Sequence, residues 1–210
     1  YAAFLSTQDE TIGNLLTTLD RLKLREDTII VFQSDHGHSH EERAHFGGGS
    51  SGPYRGAKFS MFEGGLRVPA IISWPGKLPE GAVRDQVSHS CDWLPTLAEL
   101  AGVKLQRKDI DGLSLKNVIK NEDALTPHKV LHWQIGRGNN PRWAVREGDW
   151  KLLGNPQDTS NKAPLTTKDK LFLTNLKENM NEMVNLAEKH PDVTQRLKKL
   201  HDEWAAKNVK

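Results

Sequence analysis

Apolar positions recur at helical spacing early in the chain: Ile12, Leu15, Leu16, Leu19 and Leu22 fall on one face. Ser6 with Asp9 and Thr7 with Glu10 make overlapping capping boxes, so the pattern predicts an amphipathic helix from about Asp9 to Leu24. The rhythm then changes. Thr28-Ile29-Ile30-Val31-Phe32 is an unbroken, β-branched apolar run, which predicts a strand buried on both faces of a parallel sheet. It stops at the polar turn Ser34-Asp35-His36-Gly37. Residues 38–57 are rich in His, Gly and Ser without any period and predict a long surface loop, of a length usually functional or disordered in compact domains. Val68 to Trp74 is a second apolar strand, closed by Pro75-Gly76, and Trp93, Leu94, Leu97 and Leu100 mark a second helix, from Cys91 to Leu100 and stopped by Gly102. Helix, strand, loop, strand, helix is an α/β pattern.

The texture changes after about Lys104. Val130 to Trp133, Trp143 to Arg146 and Trp150 to Leu153 read as short strands, the last two joined by a three-residue hairpin loop, Glu147-Gly148-Asp149. Gln157 to Lys170 is a polar excursion. His190-Pro191-Asp192 opens a terminal helix, with Pro at the first helical position and an acid in the first turn. Its core stripe is Val193, Leu197, Leu200 and Trp204. This half predicts a small antiparallel sheet closed by a helix.

Composition narrows the function classes. Among 210 residues, 29 are Lys or Arg and 27 are Asp or Glu, a net charge of +2, which is too balanced for binding driven by neutralising nucleic-acid phosphates. No run approaches the roughly 18 apolar residues a membrane-spanning helix needs. A single cysteine, Cys91, excludes a disulfide within the chain and a cysteine-based zinc cluster. The start, Tyr1-Ala2-Ala3-Phe4, has neither a basic segment nor an apolar signal region and reads as a position inside a longer protein.

Two places could carry chemistry. Asp35 and His36 sit at the carboxyl end of the first strand, where open α/β sheets place their ligands, and a carboxylate beside a neutral imidazole can face one cation. The plain alternative is a turn, with Asp bonding local backbone and Gly37 taking a positive φ. Lys58, on the Gly-flanked approach to the second strand, could deliver a point charge to an anion; a solvated surface lysine is the plain alternative. His38, His40 and His45 lie in the intervening loop, where they could touch substrate or simply be solvated.

The run from Thr28 to Pro75 resembles type I sulfatases of the alkaline phosphatase superfamily. The strand into Asp35-His36-Gly37 resembles the family's metal-binding pair. Gly52-Pro53-Tyr54-Arg55-Gly56-Ala57-Lys58 resembles the segment of its catalytic lysine, and Phe62-Glu63-Gly64-Gly65-Leu66-Arg67-Val68-Pro69 its Glu-Gly-Gly-x-Arg-Val-Pro signature. Asp92, Pro95, Thr96, Ala101 and Gly102, then Asp111 to Leu115, Arg146 to Lys151 and Asn185-Leu186-Ala187 continue the match in order.

The resemblance implies an α/β fold: part of an alkaline-phosphatase-like sandwich with a mostly parallel central sheet, plus the small C-terminal antiparallel sheet closed by a helix. Residues 1–104 would be the C-terminal part of the catalytic domain, without its N-terminal part, and 105–210 the C-terminal subdomain. It implies hydrolysis of a sulfated carbohydrate or aryl sulfate, with a formylglycine nucleophile beside a divalent cation. Asp35 and His36 become metal ligands, and Lys58 the catalytic residue that contacts sulfate. The usual ion is calcium, with Mg2+, Mn2+ or Zn2+ as other candidates; His36 stands where many members have Asn, and imidazole suits zinc or manganese better than calcium. The family's nucleophile motif, Cys/Ser-x-Pro-x-Arg, lies upstream of the matched region. Cys91 fails that pattern; Ser51-Gly52-Pro53-Tyr54-Arg55 satisfies it inside the lysine segment and reads as a coincidence. The implied location is secreted, periplasmic or lysosomal. Arg67 is expected to tie its loop to the strand near Glu63, and Trp143 to pack in the core rather than, with Arg142, to line a sugar rim. Two other readings stay open: a phosphodiesterase, phosphonate hydrolase or phosphatase of the same superfamily, and a non-catalytic carbohydrate-binding relative.

Overall fold

The computed structural model describes residues 1–42, 47–107, 109–136, 138 and 140–208. They form two compact units that interleave along the chain: one of residues 2–33 and 70–129, the other of Tyr1, 34–69 and 130–210.

The first unit begins with α1, Ala2–Arg21. The expected capping boxes lie inside this helix, which starts earlier than the pattern predicts. Thr7 Oγ1 bonds back to the Ala3 carbonyl at 3.0 Å instead of capping, a common fate of a mid-helix threonine. After a short 3-10 turn at Arg25–Asp27, β1 (Ile30–Gln33) pairs with β2 (Ala70–Ser73) in an antiparallel ladder, Ile30 opposite Ser73 and Gln33 opposite Ala70. This corrects the parallel pairing expected of the first strand. An apolar run reports what its faces can pack against and not the direction of its neighbour. Phe32 and its partner Ile71 are 43% and 59% exposed, so one face of the ladder is open within the chain.

Trp93–Leu100 forms α3 after a 3-10 turn at Ser90–Asp92, and Gly102 follows with a φ of +71°. Asp92 organises this region. Its buried carboxylate accepts the backbone N–H of His89 at 2.7 Å and of Leu113 at 2.9 Å, and faces His128 Nε2 at 2.8 Å from both oxygens. Thr96 continues the chain of bonds: its hydroxyl donates to the Asp92 carbonyl at 2.6 Å and accepts from Leu115 N at 2.8 Å. Asp92 and Thr96 thus fasten the Asp111–Leu115 segment to α3, ahead of the short helix α4 (Lys116–Lys120). Arg84 bonds the carbonyls of Val118 and Ile119 in α4.

The second unit contains α2 (Glu63–Leu66) and a four-stranded antiparallel meander, β3 (Val130–Ile135), β4 (Arg142–Glu147), β5 (Trp150–Gly154) and β6 (Leu171–Asn175), in that spatial order. The small antiparallel sheet is as expected. Its hairpin is tighter than predicted: Glu147 pairs with Trp150, leaving a two-residue loop in which Gly148 has φ +58°. Strand β6 has no counterpart in the sequence reading. It begins straight after the polar excursion, in a short run, Leu171-Phe172-Leu173. Asn185 anchors it, accepting Leu173 N and donating to the Leu171 carbonyl.

Alternation sorts the sheet's residues to two faces. Ala144, Leu153 and Phe172 pack with Met61 and Phe62. Trp143, Val145, Leu152 and Leu173 pack with Leu197 of α5 (Pro191–Asn208). Each fully buried Leu, Val or Phe contributes roughly 1.5–3 kcal/mol. The helix adds two stacked ring pairs, His201 on Trp143 at 4.0 Å and Trp204 on His132 at 5.0 Å. Trp143 is a core residue, as expected; Arg142 donates to the Phe59 carbonyl and to Gln157. Among the described residues, no helix is long and apolar enough to cross a membrane.

Candidate active site

Asp35 and His36 follow β1 directly after Ser34. The Asp35 carboxylate is 82% exposed, and His36 Nε2 lies 3.1 Å from its Oδ2. His36 Nδ1 is 2.8 Å from the Gly37 carbonyl, and Ser34 Oγ donates to the His36 carbonyl at 2.8 Å. A carbonyl can only accept, so Nδ1 carries the hydrogen in that contact. In the neutral ring Nε2 then bears the lone pair, and a nitrogen donor and a carboxylate oxygen face each other across 3.1 Å. Two electron-pair donors held together in this way suit a cation, with the outer ring nitrogen oriented by a backbone carbonyl. The pair supplies only part of a coordination sphere: calcium takes six to eight oxygens, and among the described residues no cluster of three His, Cys, Asp or Glu could hold a metal ion.

Backbone contacts lace the three motif segments together. Gly37 N bonds the Gly65 carbonyl at 3.0 Å, Lys58 N the His38 carbonyl at 2.9 Å, and Gly64 N the Arg55 carbonyl at 2.7 Å. Glycine is required at the crossings. A Cβ on Gly37 would lie 1.9 Å from the Gly64 oxygen, and one on Gly64 would lie 2.2 Å from the Gly56 oxygen. Gly64-Gly65 is therefore more than a flexible loop, because its lack of side chains lets three chain segments touch.

Lys58 is mostly buried, at 16% side-chain exposure, and its Nζ donates to Glu41 Oε2 at 2.8 Å. Ser39 Oγ donates to the same oxygen at 2.9 Å, and the ammonium stands 5.0 Å from the Phe59 ring centre. The solvated-lysine alternative does not hold. Glu41 was missed in the sequence because 17 positions separate it from Lys58 in an aperiodic loop, and no spacing rule reaches that far.

His38 lies on the same loop. Its Nε2 is 2.8 Å from His40 Nε2 and the rings meet edge to face, while Nδ1 is buried without a hydrogen-bond partner among the described residues. Burial, then the neighbouring His40 and Lys162, push the His38 imidazole below its ordinary range. His45 lies outside the described residues.

Beneath these groups is a buried polar scaffold. The Arg55 guanidinium is 1% exposed; it donates to Asp158 at 2.8 Å, the Glu182 carbonyl at 3.0 Å and the Ala163 carbonyl at 2.8 Å, and lies over the Phe62 ring at 4.2 Å. Ser51 Oγ shares its hydrogen between the Tyr54 carbonyl at 2.8 Å and the Gly56 carbonyl at 3.2 Å, so the first residue of the Ser-x-Pro-x-Arg stretch holds its turn. Glu63 takes Lys151 Nζ at 2.7 Å, and Glu182 Oε2 accepts Glu63 N at 2.5 Å. Burial opposes ionisation of Glu63, yet Lys151, Arg146 and Arg67 hold its carboxyl below the usual range. Burial and then the Glu63 charge push Glu182 up, against the pull of Lys151. Arg67 packs over the Tyr54 ring at 5.0 Å and its backbone N–H bonds the Glu63 carbonyl, a structural role as expected.

Known proteins carry the same elements. Residues 1–103 match the family model Sulfatase, and residues 55–210 match N-sulphoglucosamine sulphohydrolase, C-terminal. Human steryl-sulfatase is 36% identical over 73% of this chain and 27% of its own length. Choline-sulfatase of Rhizobium meliloti is 35% identical over 85% of this chain and 33% of its own. The solved structure of BT4656 in complex with its substrate D-glucosamine-2-N,6-O-disulfate is 27% identical and superimposes with a TM-score of 0.73 over 98% of this chain and 40% of that one. The chain therefore spans about a third of the length of the relatives it matches. Its motifs, its fold and its relatives agree: the chain belongs to the sulfatase family.

Proposed function

We propose that the protein containing this chain hydrolyses sulfate esters, on a sulfated carbohydrate or an aryl sulfate, and that this chain supplies two metal ligands and the sulfate-binding lysine. Residues 1–104 act as the C-terminal part of the catalytic α/β domain and 105–210 as the C-terminal subdomain; the end of the Sulfatase match at residue 103 supports this boundary, whereas the second family match begins at residue 55 and runs across it. One observation carries the reading: the Lys58 peptide is bonded to the His38 carbonyl, two residues beyond His36, so the ammonium-bearing segment runs beside the turn that bears the donor pair.

A divalent cation, when bound, would supply positive charge to the sulfate oxygens and to a formylglycine nucleophile elsewhere in the protein. The rest belongs to this chain. Asp35 contributes an anionic oxygen and His36 a nitrogen whose ring is oriented through Nδ1. His36 also leaves zinc or manganese open beside calcium. Lys58 binds a sulfate oxygen, and its charge grows in value as negative charge builds on the leaving oxygen. His38, on the loop between them, is the second substrate-binding residue. The sugar substrate of BT4656 supports a carbohydrate, and the family supports a secreted, periplasmic or lysosomal location.

The test is turnover of an aryl sulfate and of the matching phosphate monoester by the intact, matured protein. Preference for sulfate, lost in Lys58→Ala, is the expected result. Preference for phosphate would move the reading to a phosphatase of the same superfamily. The isolated 210-residue chain is expected to show no turnover.

A further inference from the structure

The Lys58–Glu41 contact poses a problem for an anion site, because a carboxylate sits on the group meant to bind sulfate. A glutamate there weakens the attraction of the site for any anion. Its geometry suggests what it contributes in exchange. An ammonium has three N–H donors, and Glu41 Oε2 engages Nζ at 2.8 Å, which leaves two. The same oxygen accepts Ser39 Oγ at 2.9 Å, and Ser39 Oγ in turn accepts Glu41 N at 3.3 Å. The carboxylate is thereby held by its own loop, the loop that leaves Asp35 and His36. Lys58 is bound to that loop twice, by its peptide at His38 and by its ammonium at Glu41. A four-carbon stem has much rotamer freedom to lose, and this second tether removes it before substrate arrives.

We infer that Glu41 is a positioning residue for Lys58: it aims the ammonium from the metal-pair loop and lowers ground-state affinity for the anion. The inference rests on the proposed sulfatase reading. Chemically, an interaction that costs ground-state binding but fixes a group where charge develops raises kcat and not affinity. Removing it should therefore move rate and anion affinity in opposite directions, which loss of structure alone would not do.

The experiment uses the intact, matured protein with Glu41→Gln, Lys58→Ala and the double variant, assayed on an aryl sulfate with inorganic sulfate as competitive inhibitor. For Glu41→Gln, kcat should fall about tenfold or more, the scale of a misplaced catalytic group, while sulfate inhibits several-fold more tightly. In the Lys58→Ala background Glu41→Gln should change kcat by less than about twofold, because the two substitutions remove one interaction. Glu41→Asp, which keeps the charge on a shorter stem, should retain the wild-type sulfate inhibition. Unchanged kcat in Glu41→Gln, weaker sulfate inhibition alongside a lower kcat, or full additivity with Lys58→Ala would each overturn the inference. Should Glu41→Gln not fold, Glu41→Asp decides alone, since a normal kcat with tighter sulfate inhibition would overturn it. A wild-type protein that turns over no sulfate ester would overturn the sulfatase reading itself, and this inference with it.

Discussion

Lys151 Nζ stands 2.7 Å from Glu63 Oε1, and neither side chain is more than 5% exposed. A second carboxylate, Glu182, brings Oε1 to 3.1 Å from the same ammonium without a hydrogen-bond geometry. One buried cation thus serves two carboxylates at the root of the Glu-Gly-Gly segment.

Lys151→Met should cost about 3–5 kcal/mol of stability, because it takes the nearest cation from the buried, ionised Glu63 and leaves only the more distant Arg146, at 3.9 Å, as an ion-pair partner. Denaturant unfolding of the intact protein checks this. Glu63→Gln in addition should restore part of the loss, since the stranded charge is then gone. A single variant as stable as wild type would refute the buried triad.

Gly64→Ala should lower stability by more than about 3 kcal/mol, the range of severe backbone strain. The new methyl would meet the Gly56 oxygen at 2.2 Å, and backbone on both sides cannot yield as a flexible side chain could. Gly13→Ala, with nothing within 4 Å, is the control, expected within about 1 kcal/mol of wild type. Thermal unfolding of the two variants tests the contrast.

His201 should make the second unit acid-sensitive. Burial, and then His132, lower its pKa from 6.5 to about 4, with Lys198 adding and Asp202 opposing. A lowered folded pKa means the unfolded chain takes up the proton first. The stabilisation is therefore complete above about pH 6.5 and is lost as pH falls toward 4, by an amount on the order of 3 kcal/mol. Melting temperature followed from pH 7 to 4 should show the loss. His201→Phe, which keeps a ring against Trp143, should flatten the curve in that window.

Asp92→Asn should destabilise the Asp111–Leu115 attachment by about 2–3 kcal/mol, because the amide nitrogen replaces an acceptor that now faces a backbone N–H or His128. Hydrogen exchange at Leu113 N and Leu115 N would rise in the variant. Unchanged protection would show that the carboxylate is not the fastening.

Asp35→Ala should remove metal-linked stabilisation from the intact protein. At a hundredfold excess over the dissociation constant a single site stabilises by about 2.7 kcal/mol. Calcium, zinc and manganese titrations with thermal readout would identify the ion. A calcium-induced shift that persists in Asp35→Ala would place the ion elsewhere.

Much of the fold was legible because short-range physics wrote it. The terminal helix starts at Pro191 as its proline and acidic first turn require, and β4 and β5 follow their alternation. Where expectation and structure part, a long-range partner decided. Ser6 and Thr7 carry cap chemistry, but the helix begins before them. Leu171-Phe172-Leu173 is too short a run to declare itself, and becomes a strand because β5 and Asn185 satisfy its backbone.

The sequence by itself determined the family and the chemical types at the candidate site: a carboxylate, an imidazole and a lysine in motifs whose order and spacing are a matter of covalent chain. Tertiary structure alone decided that β1 and β2 run antiparallel, that Arg55 and Glu63 serve as buried scaffold, and that Glu41 sits on Lys58. Those outcomes depend on groups tens of positions apart meeting at hydrogen-bond distance. Such meetings follow from close packing and from satisfying every buried polar group, conditions met by the whole fold at once and recorded in no local stretch of residues.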